Sequence, residues 1–338
     1  VLGYNAPMKN ISKKYLAFLL APFLFVLGVV HIASADHGHN HTAYAENLER
    51  LTIRESILPT MSLPSESYEM AYLDTGVARE GTYLMLHGIP TSSWMYRELV
   101  PEVAGRGYRV VAPDLLGFGA SSTPEIYEYY GPDQQAQYVS ELLENLGIKK
   151  VNLVVHDMGS LVGWEMLIVN EIEIESIVVL DSIVDEFKAP RAKKGGIISW
   201  FMKKAYMNPG LAKRLIKATL KKGGALAELN NGEIEEYIRP YSKDAGDGAG
   251  YATWHFFTDF DRIFTDRMPM YHDALLNFNG KITTIWGSDD AFLKPDIHLE
   301  KLKALRSDNK LDRYTEIADA PHYILETHRD EVINHMFK

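Results

Sequence analysis

The segment Val151-Asn152-Leu153-Val154-Val155-His156-Asp157-Met158-Gly159-Ser160 constrains this chain most. An apolar, β-branched run ends in a polar pair, and a glycine then opens a pattern of helical length from Gly159 to Val169. Such a segment folds as a sharp strand-to-helix turn that presents one side chain at the carboxyl end of the strand. Ligands of open α/β sheets bind beyond those ends. The presented side chain is Asp157. Ser160 falls three residues later, inside the helix, and lacks the flanking glycines of a G-x-S-x-G turn. A carboxylate, not a hydroxyl, therefore stands at the tip.

The surrounding pattern predicts the sheet that holds this turn. Tyr83–Leu86, Tyr108–Ala112, Val151–Val155, Ile177–Leu180 and Ile282–Trp286 are short apolar or β-branched runs. Runs without polar alternation are expected where both faces of a parallel sheet are covered. Amphipathic segments at Ser92–Ala104, Pro132–Leu146 and Gly159–Val169 separate them. The order indicates an α/β fold with a mostly parallel, doubly wound sheet. The alternation stops between residues 184 and 262, which read as an inserted helical cap. The core is expected over residues 55–183 and 263–338, with a last helix near His328–Phe337.

Charge and composition narrow the function. The 338 residues are 46% hydrophobic and 24% charged, a globular composition. There is no cysteine, which excludes disulfides, thiolate metal sites and a Cys nucleophile. A net charge of −10 argues against nucleic acid as a partner. Residues 187–227 reverse that sign, with 11 Lys and Arg and no Asp or Glu. Next to them, Ile197, Ile198, Trp200 and Phe201 suggest weak contact of the basic cap with an anionic membrane surface.

Residues 1–7 precede Met8 and read as upstream sequence. Lys9, Lys13 and Lys14, the apolar run from Tyr15 to Val30, and Ala33-Ser34-Ala35 describe a secretory signal peptide over residues 1–35, cleaved after Ala35. That predicts a secreted or periplasmic protein. The alternative is a membrane anchor at residues 15–35, although the run is shorter than the ~20 residues of a spanning helix and contains Pro22. Residues 36–54 read as a flexible tail. Its alternating His37, His39 and His41 lack a carboxylate or thiolate framework for a metal.

Three further segments suit the Asp157 turn. The backbone at His87-Gly88-Ile89-Pro90, after a strand, can set the Ile89 N–H beside that of Met158 as an oxyanion hole. Trp286-Gly287-Ser288-Asp289-Asp290 ends a late strand in carboxylates. Ala318-Asp319-Ala320-Pro321-His322 puts a histidine in a loop before the last helix. The order nucleophile, acid, histidine is that of α/β-hydrolases. Taken together, His87-Gly88-x-Pro90, His156-Asp157-x-Gly159, Trp286-Gly-x-x-Asp290 and His322 resemble the epoxide hydrolase/haloalkane dehalogenase branch of that superfamily, over nearly the whole chain from about residue 55. The Asp114 loop, Pro113-Asp114-Leu-Leu-Gly117-Phe-Gly119, is shared with it and reads as structural.

The resemblance implies a cofactor-independent hydrolase. Asp157 attacks an electrophilic carbon of a small molecule and forms an alkyl ester. His322, oriented by Asp290, activates the water that cleaves it. Asp181, at the end of the preceding strand, is the alternative acid. Two leaving groups fit. Dehalogenases of this branch hold halide with a Trp after the nucleophile and an Asn or second Trp. Here Met158 and Ile89 stand at the corresponding places and offer no side-chain donor. Epoxide hydrolases protonate the ring oxygen from two cap tyrosines, and the cap supplies Tyr206, Tyr237, Tyr241 and Tyr251, with His255 at one expected tyrosine position. The reading is therefore an epoxide hydrolase first, with Trp254 or Trp94 as donors in a dehalogenase alternative. A non-catalytic binding protein on the same fold is the reading from another class.

Overall fold

In the computed structural model the described residues are 49–52, 68–76, 79–187, 194–242 and 248–338. The proposed signal peptide, the anchor alternative and the His37–His41 tract lie outside them. Among the described residues no helix is long and apolar enough to cross a membrane.

Among the described residues eight strands form one sheet. They are β1 (Glu49–Thr52), β2 (Glu69–Asp74), β3 (Thr82–Leu86), β4 (Arg109–Pro113), β5 (Lys150–Asp157), β6 (Glu173–Ser182), β7 (Lys281–Gly287) and β8 (Arg313–Ile317). Their spatial order is β1-β2-β4-β3-β5-β6-β7-β8. β1 and β2 pair antiparallel, as do β2 and β4, and the remaining neighbours are parallel. β5 is central, flanked by β3 and β6, and its register with β6 shifts between His156 and Asp157. The slip coincides with the turn predicted from sequence. One expectation is corrected: residues 49–52, read as part of a flexible tail, form the edge strand β1. It is held by Tyr72 Oη–H to Glu49 at 2.9 Å and by Arg50 to the Ala120 carbonyl at 2.8 Å.

The connecting helices are α1 (Leu99–Gly105), α2 (Pro132–Asn145) and α3 (Gly159–Val169). Between β6 and β7 the chain makes α4 (Ile197–Tyr206), α5 (Pro209–Lys222), α6 (Asn231–Ile238), α7 (Gly248–Arg262), a π-helical turn (Ile263–Arg267) and α8 (Met268–Asn277). α9 (His298–Leu305), α10 (Ile324–Thr327) and α11 (Arg329–Met336) complete the chain. Two apolar clusters cover opposite faces of the sheet. One takes in Leu84, Leu153, Val155, Ile177 and Ile282, and the other Met85, Val154, Val178 and Ile285, the alternating side chains of the same strands. Both faces are thus buried, which is why these strands read as unbroken apolar runs.

α6 leans on the core through a buried ionic knot. Arg97 donates to both oxygens of Glu326 at 2.7 Å and to Glu233 of α6 at 3.2 Å, and Tyr237 donates to Glu326.

Candidate active site

The carboxyl ends of β3, β5, β6 and β7 bring together His87-Gly88, Asp157, Asp181 and Asp290. Asp157 sits at φ 52°, a left-handed conformation that costs a non-glycine residue energy and lifts its side chain off the strand end. Two glycines permit the crowding. A Cβ at Gly88 would collide with the Asp157 carboxylate, and one at Gly159 would collide with the Leu86 carbonyl. α3 therefore starts directly against β3, its N-terminus beside the carboxylate. Ser160 donates to the Asp157 carbonyl at 2.6 Å and is fully buried, so it braces the turn.

The two Asp157 oxygens are differentiated. Oδ1 accepts the Ile89 N–H at 2.9 Å, and the Met158 N–H also bonds the carboxylate. Oδ2 faces His322 Nε2 at 3.6 Å. Both backbone donors expected from sequence thus bond the carboxylate, Ile89 at Oδ1, while Oδ2 faces the imidazole. His87 fixes the donor loop: its Nε2 accepts the Leu115 N–H at 2.9 Å and its Nδ1 lies 2.8 Å from the Gly88 carbonyl, which sets one neutral tautomer. The Ile89-Pro90 bond is cis.

His322 Nδ1 bonds Asp290 Oδ2 at 2.8 Å, while Asp290 Oδ1 accepts the N–H groups of Phe292 and Leu293 at 2.7 and 2.8 Å. Asp290, and not its exposed neighbour Asp289, is the residue that orients the imidazole. The alternative acid is corrected: Asp181 instead accepts the Gly287 N–H at 2.8 Å. Burial, reinforced by the charge of Asp290, pushes Asp181 far above the usual carboxylate range. Asp114 accepts from Ser93 N, Ser93 Oγ and Ala120 N at 2.6–2.7 Å and is structural, as its loop suggested.

The electrostatics follow from burial and from the three neighbouring carboxyls. Burial alone would strip the proton from His322, but the charge of Asp290 and its hydrogen bond, then Asp157 and Asp181, push the imidazole up to about 9. Burial raises Asp157, opposed by the His322 charge and the Ile89 and Met158 N–H groups. Burial also works against the Asp290 carboxylate, but His322 and the two backbone donors win and keep it below its ordinary value. At neutral pH His322, pushed up to about 9, is an imidazolium with Asp157 and Asp290 on either side.

The cap candidates divide. Trp254 donates its indole N–H to Ser199 at 2.9 Å, which removes it as a halide donor. His255 packs against Tyr127, their ring centroids 4.1 Å apart. Tyr251 accepts Lys203 at 2.7 Å, and Trp94 is buried with the Arg97 guanidinium over its ring at 4.9 Å. Tyr237 belongs to the Glu326 knot. Tyr206 stacks on Phe257, and Tyr241 shares a 2.6 Å hydrogen bond with Thr253. Both are raised by burial, as is Tyr323, the residue after the imidazole. Sequence reasoning passed over Tyr323. Its phenol is buried, is raised first by that burial and then by Asp157, and has no hydrogen-bond partner among the described residues. It also passed over His156, whose Nε2 lies 3.0 Å from the His322 carbonyl and braces that loop; burial drops its pKa to about 3.

An eight-stranded, mostly parallel sheet with a strained acid turn and a late histidine defines an α/β-hydrolase-type protein. The alpha/beta hydrolase fold family matches residues 83–329, and the chain belongs to that family. It is similar to a hydrolase of Saccharomyces cerevisiae, 27% identical over 271 residues, 76% of this chain and 88% of that protein. It is also similar to a haloalkane dehalogenase of Mycobacterium marinum, 42% identical over 94 residues, a match that spans 28% of this chain and 32% of that protein. Among solved structures, the haloalkane dehalogenase DpaA of Paraglaciecola agarilytica superposes with a TM-score of 0.61 at 25% identity, over 85% of this chain and 97% of that one. The similarities fall on the dehalogenase/epoxide hydrolase branch that the sequence motifs resemble.

Proposed function

We propose that this chain is an epoxide hydrolase that works through an ester on Asp157 and releases a vicinal diol. The observation that carries this reading is the leaving-group side of the site. Positions 89 and 158 hold Ile and Met, which cannot donate to halide, and Trp254 has given its N–H to Ser199. On the other flank Tyr323, whose ring centroid lies 5.2 Å from that of His322 and whose hydroxyl has no partner among the described residues, supplies a phenol, and Tyr206 and Tyr241 are the cap's candidates for the second.

In this mechanism Asp157 Oδ2 attacks a ring carbon and the C–O bond opens. The alkoxide takes a proton from a phenol, which is replenished by the His322 imidazolium. His322, now neutral, takes a proton from water, and the hydroxide adds to the Asp157 carboxyl carbon. The negative charge develops on Oδ1, the oxygen already held by the Ile89 N–H, with the Met158 N–H also bonding the carboxyl. Collapse expels the diol oxygen, which takes the proton of the added hydroxyl. Asp157 is again a carboxylate and His322 again an imidazolium.

A single turnover of styrene oxide in ¹⁸O-water tests the reading. The label is expected in the Asp157 carboxylate, with diol as product and an adduct on Asp157 in the His322→Gln variant. Haloalkane dehalogenation is the second reading, supported by the local 42% identity to the M. marinum enzyme. Bromide release from 1-bromobutane without diol from any epoxide would establish it in place of the first.

A further inference from the structure

α4 is turned inside out. Ser199 and Ala205 are its buried residues, and Ser199 receives the Trp254 N–H. Its largest apolar side chains face away from the protein: Ile197 is 68% exposed, Trp200 52% and Phe201 57%, with Ile198 beside them at 37%. Ile197, Trp200, Phe201 and Lys204 follow the i, i+3, i+4, i+7 spacing of one helical face. The next helix continues the pattern, since Leu211, Arg214, Ala218 and Lys221 on α5 are also exposed. Lys204, Arg214 and Lys221 have no ion pair among the described residues. Residues 187–227 carry no acid at all, although the whole chain is net acidic.

Isolated exposed hydrophobic residues need no explanation, but four on one short helix with free cations at its rim do. Two aromatics, one an indole, on a basic amphipathic surface match the boundary between lipid headgroups and acyl chains. A second copy of the chain fits less well. Roughly 400 Å² of apolar side chain is open here, about half of the ~800 Å² that each partner buries in a stable dimer.

We propose that the outer face of α4, extended by the cations of α5, docks the cap on an anionic membrane surface, with Trp200 and Phe201 entering the headgroup region and Lys204, Arg214 and Lys221 meeting lipid phosphates. The inference stands apart from the reaction assigned to the site.

The test uses the full chain with vesicles of phosphatidylcholine alone or mixed three to one with phosphatidylglycerol. The other four tryptophans are buried, so Trp200 dominates any lipid-dependent change in emission. Anionic vesicles are expected to shift that emission to the blue, and brominated acyl chains to quench it. Trp200→Phe should keep binding and abolish the quenching. Trp200→Ser with Phe201→Ser should weaken partitioning at least tenfold, and Lys204→Glu with Arg214→Glu should remove the preference for phosphatidylglycerol. Residues 15–30 are common to every variant, so they cannot produce these differences. Unchanged partitioning in the double Ser variant overturns the proposal. So does a dimer in solution that the same variant dissociates. If the double Ser variant fails to fold, the Trp200→Phe quenching comparison decides alone, and quenching that persists in it overturns the assignment.

Discussion

Replacing Asp290 by Asn should separate the two proposed half-reactions. The carbonyl oxygen of the amide can still accept the Phe292 and Leu293 N–H groups, so the loop is kept. The other Asp290 oxygen, 2.8 Å from His322 Nδ1, becomes an NH₂. Donor then faces donor, and the imidazole must carry its proton on Nε2, the nitrogen turned toward Asp157. In that tautomer it cannot take a proton from water. A positioned general base contributes roughly 10²–10⁴-fold, so ester hydrolysis should slow by that factor, about 3–5 kcal/mol. The electrostatics give a consistent size: holding the imidazole to about 9, not 6.5, is worth about 3 kcal/mol, and Asp290 is the largest influence in that direction. Attack by Asp157 needs no base, and in the first turnover the phenol can give the alkoxide its proton without being replenished. Quenched-flow mixing with an epoxide should therefore show a burst of a single equivalent, and intact-protein mass spectrometry should find the enzyme almost wholly esterified in the steady state. A slow variant with no burst and no adduct would refute the reasoning, because it would place the loss before the ester.

Three other expectations can be checked directly. His322 is raised to about 9 in the folded chain, so its stabilisation is complete below pH 6.5 and is lost as pH rises through 9; urea unfolding of the wild type should lose up to ~3 kcal/mol over that window relative to His322→Gln, and parallel pH curves would contradict it. Arg97→Met leaves the Glu326 carboxylate buried without its guanidinium and should cost about 3–5 kcal/mol in chemical denaturation, whereas a cost under ~1 kcal/mol would mean the knot does not hold the cap. Ile89→Asn with Met158→Trp installs two side-chain N–H donors at the leaving-group side, and bromide release from 1-bromobutane should rise at least tenfold; no rise would undermine the donor argument for epoxides.

What was legible in the sequence was the part fixed by short-range chemistry. The Asp157 turn is written in contiguous residues, because strand, φ-strained acid and close-approach glycine must follow one another. The buried strands were legible because both faces are covered. β8 was not, since in Arg313–Ile317 only Ile317 is buried and no apolar run survives. The segment read as one helix over Ser92–Ala104 divides into a 3₁₀ turn, Ser93–Tyr96, and α1, because Ser93, Trp94, Met95 and Tyr96 are all buried and no helical face remains for solvent. The cap donors were the least legible. Trp254 and His255 were read from residue type, yet their roles are decided by Ser199 and Tyr127, which only the fold brings to them. Tyr323 gave no signal either: a tyrosine after a loop histidine looks like any core aromatic until its hydroxyl is found without a partner.

The charge state of the site bears on the leaving group as much as the donor inventory does. With Asp157 and Asp290 on either side, His322 begins as an imidazolium, and in that form it is no base. Esterification removes the Asp157 charge, one of the influences holding the proton, so the imidazole becomes more acidic as the ester forms. The proton still needs somewhere to go. An opened epoxide provides a place, because each ring opening generates one alkoxide that must be protonated, and what remains is the neutral imidazole that hydrolysis requires. A departing halide takes no proton, and the imidazolium would have to discharge to solvent through a site in which His322 is buried. The same three carboxyls that look like an obstacle to base catalysis thus suit a substrate whose first step consumes a proton and whose second returns it.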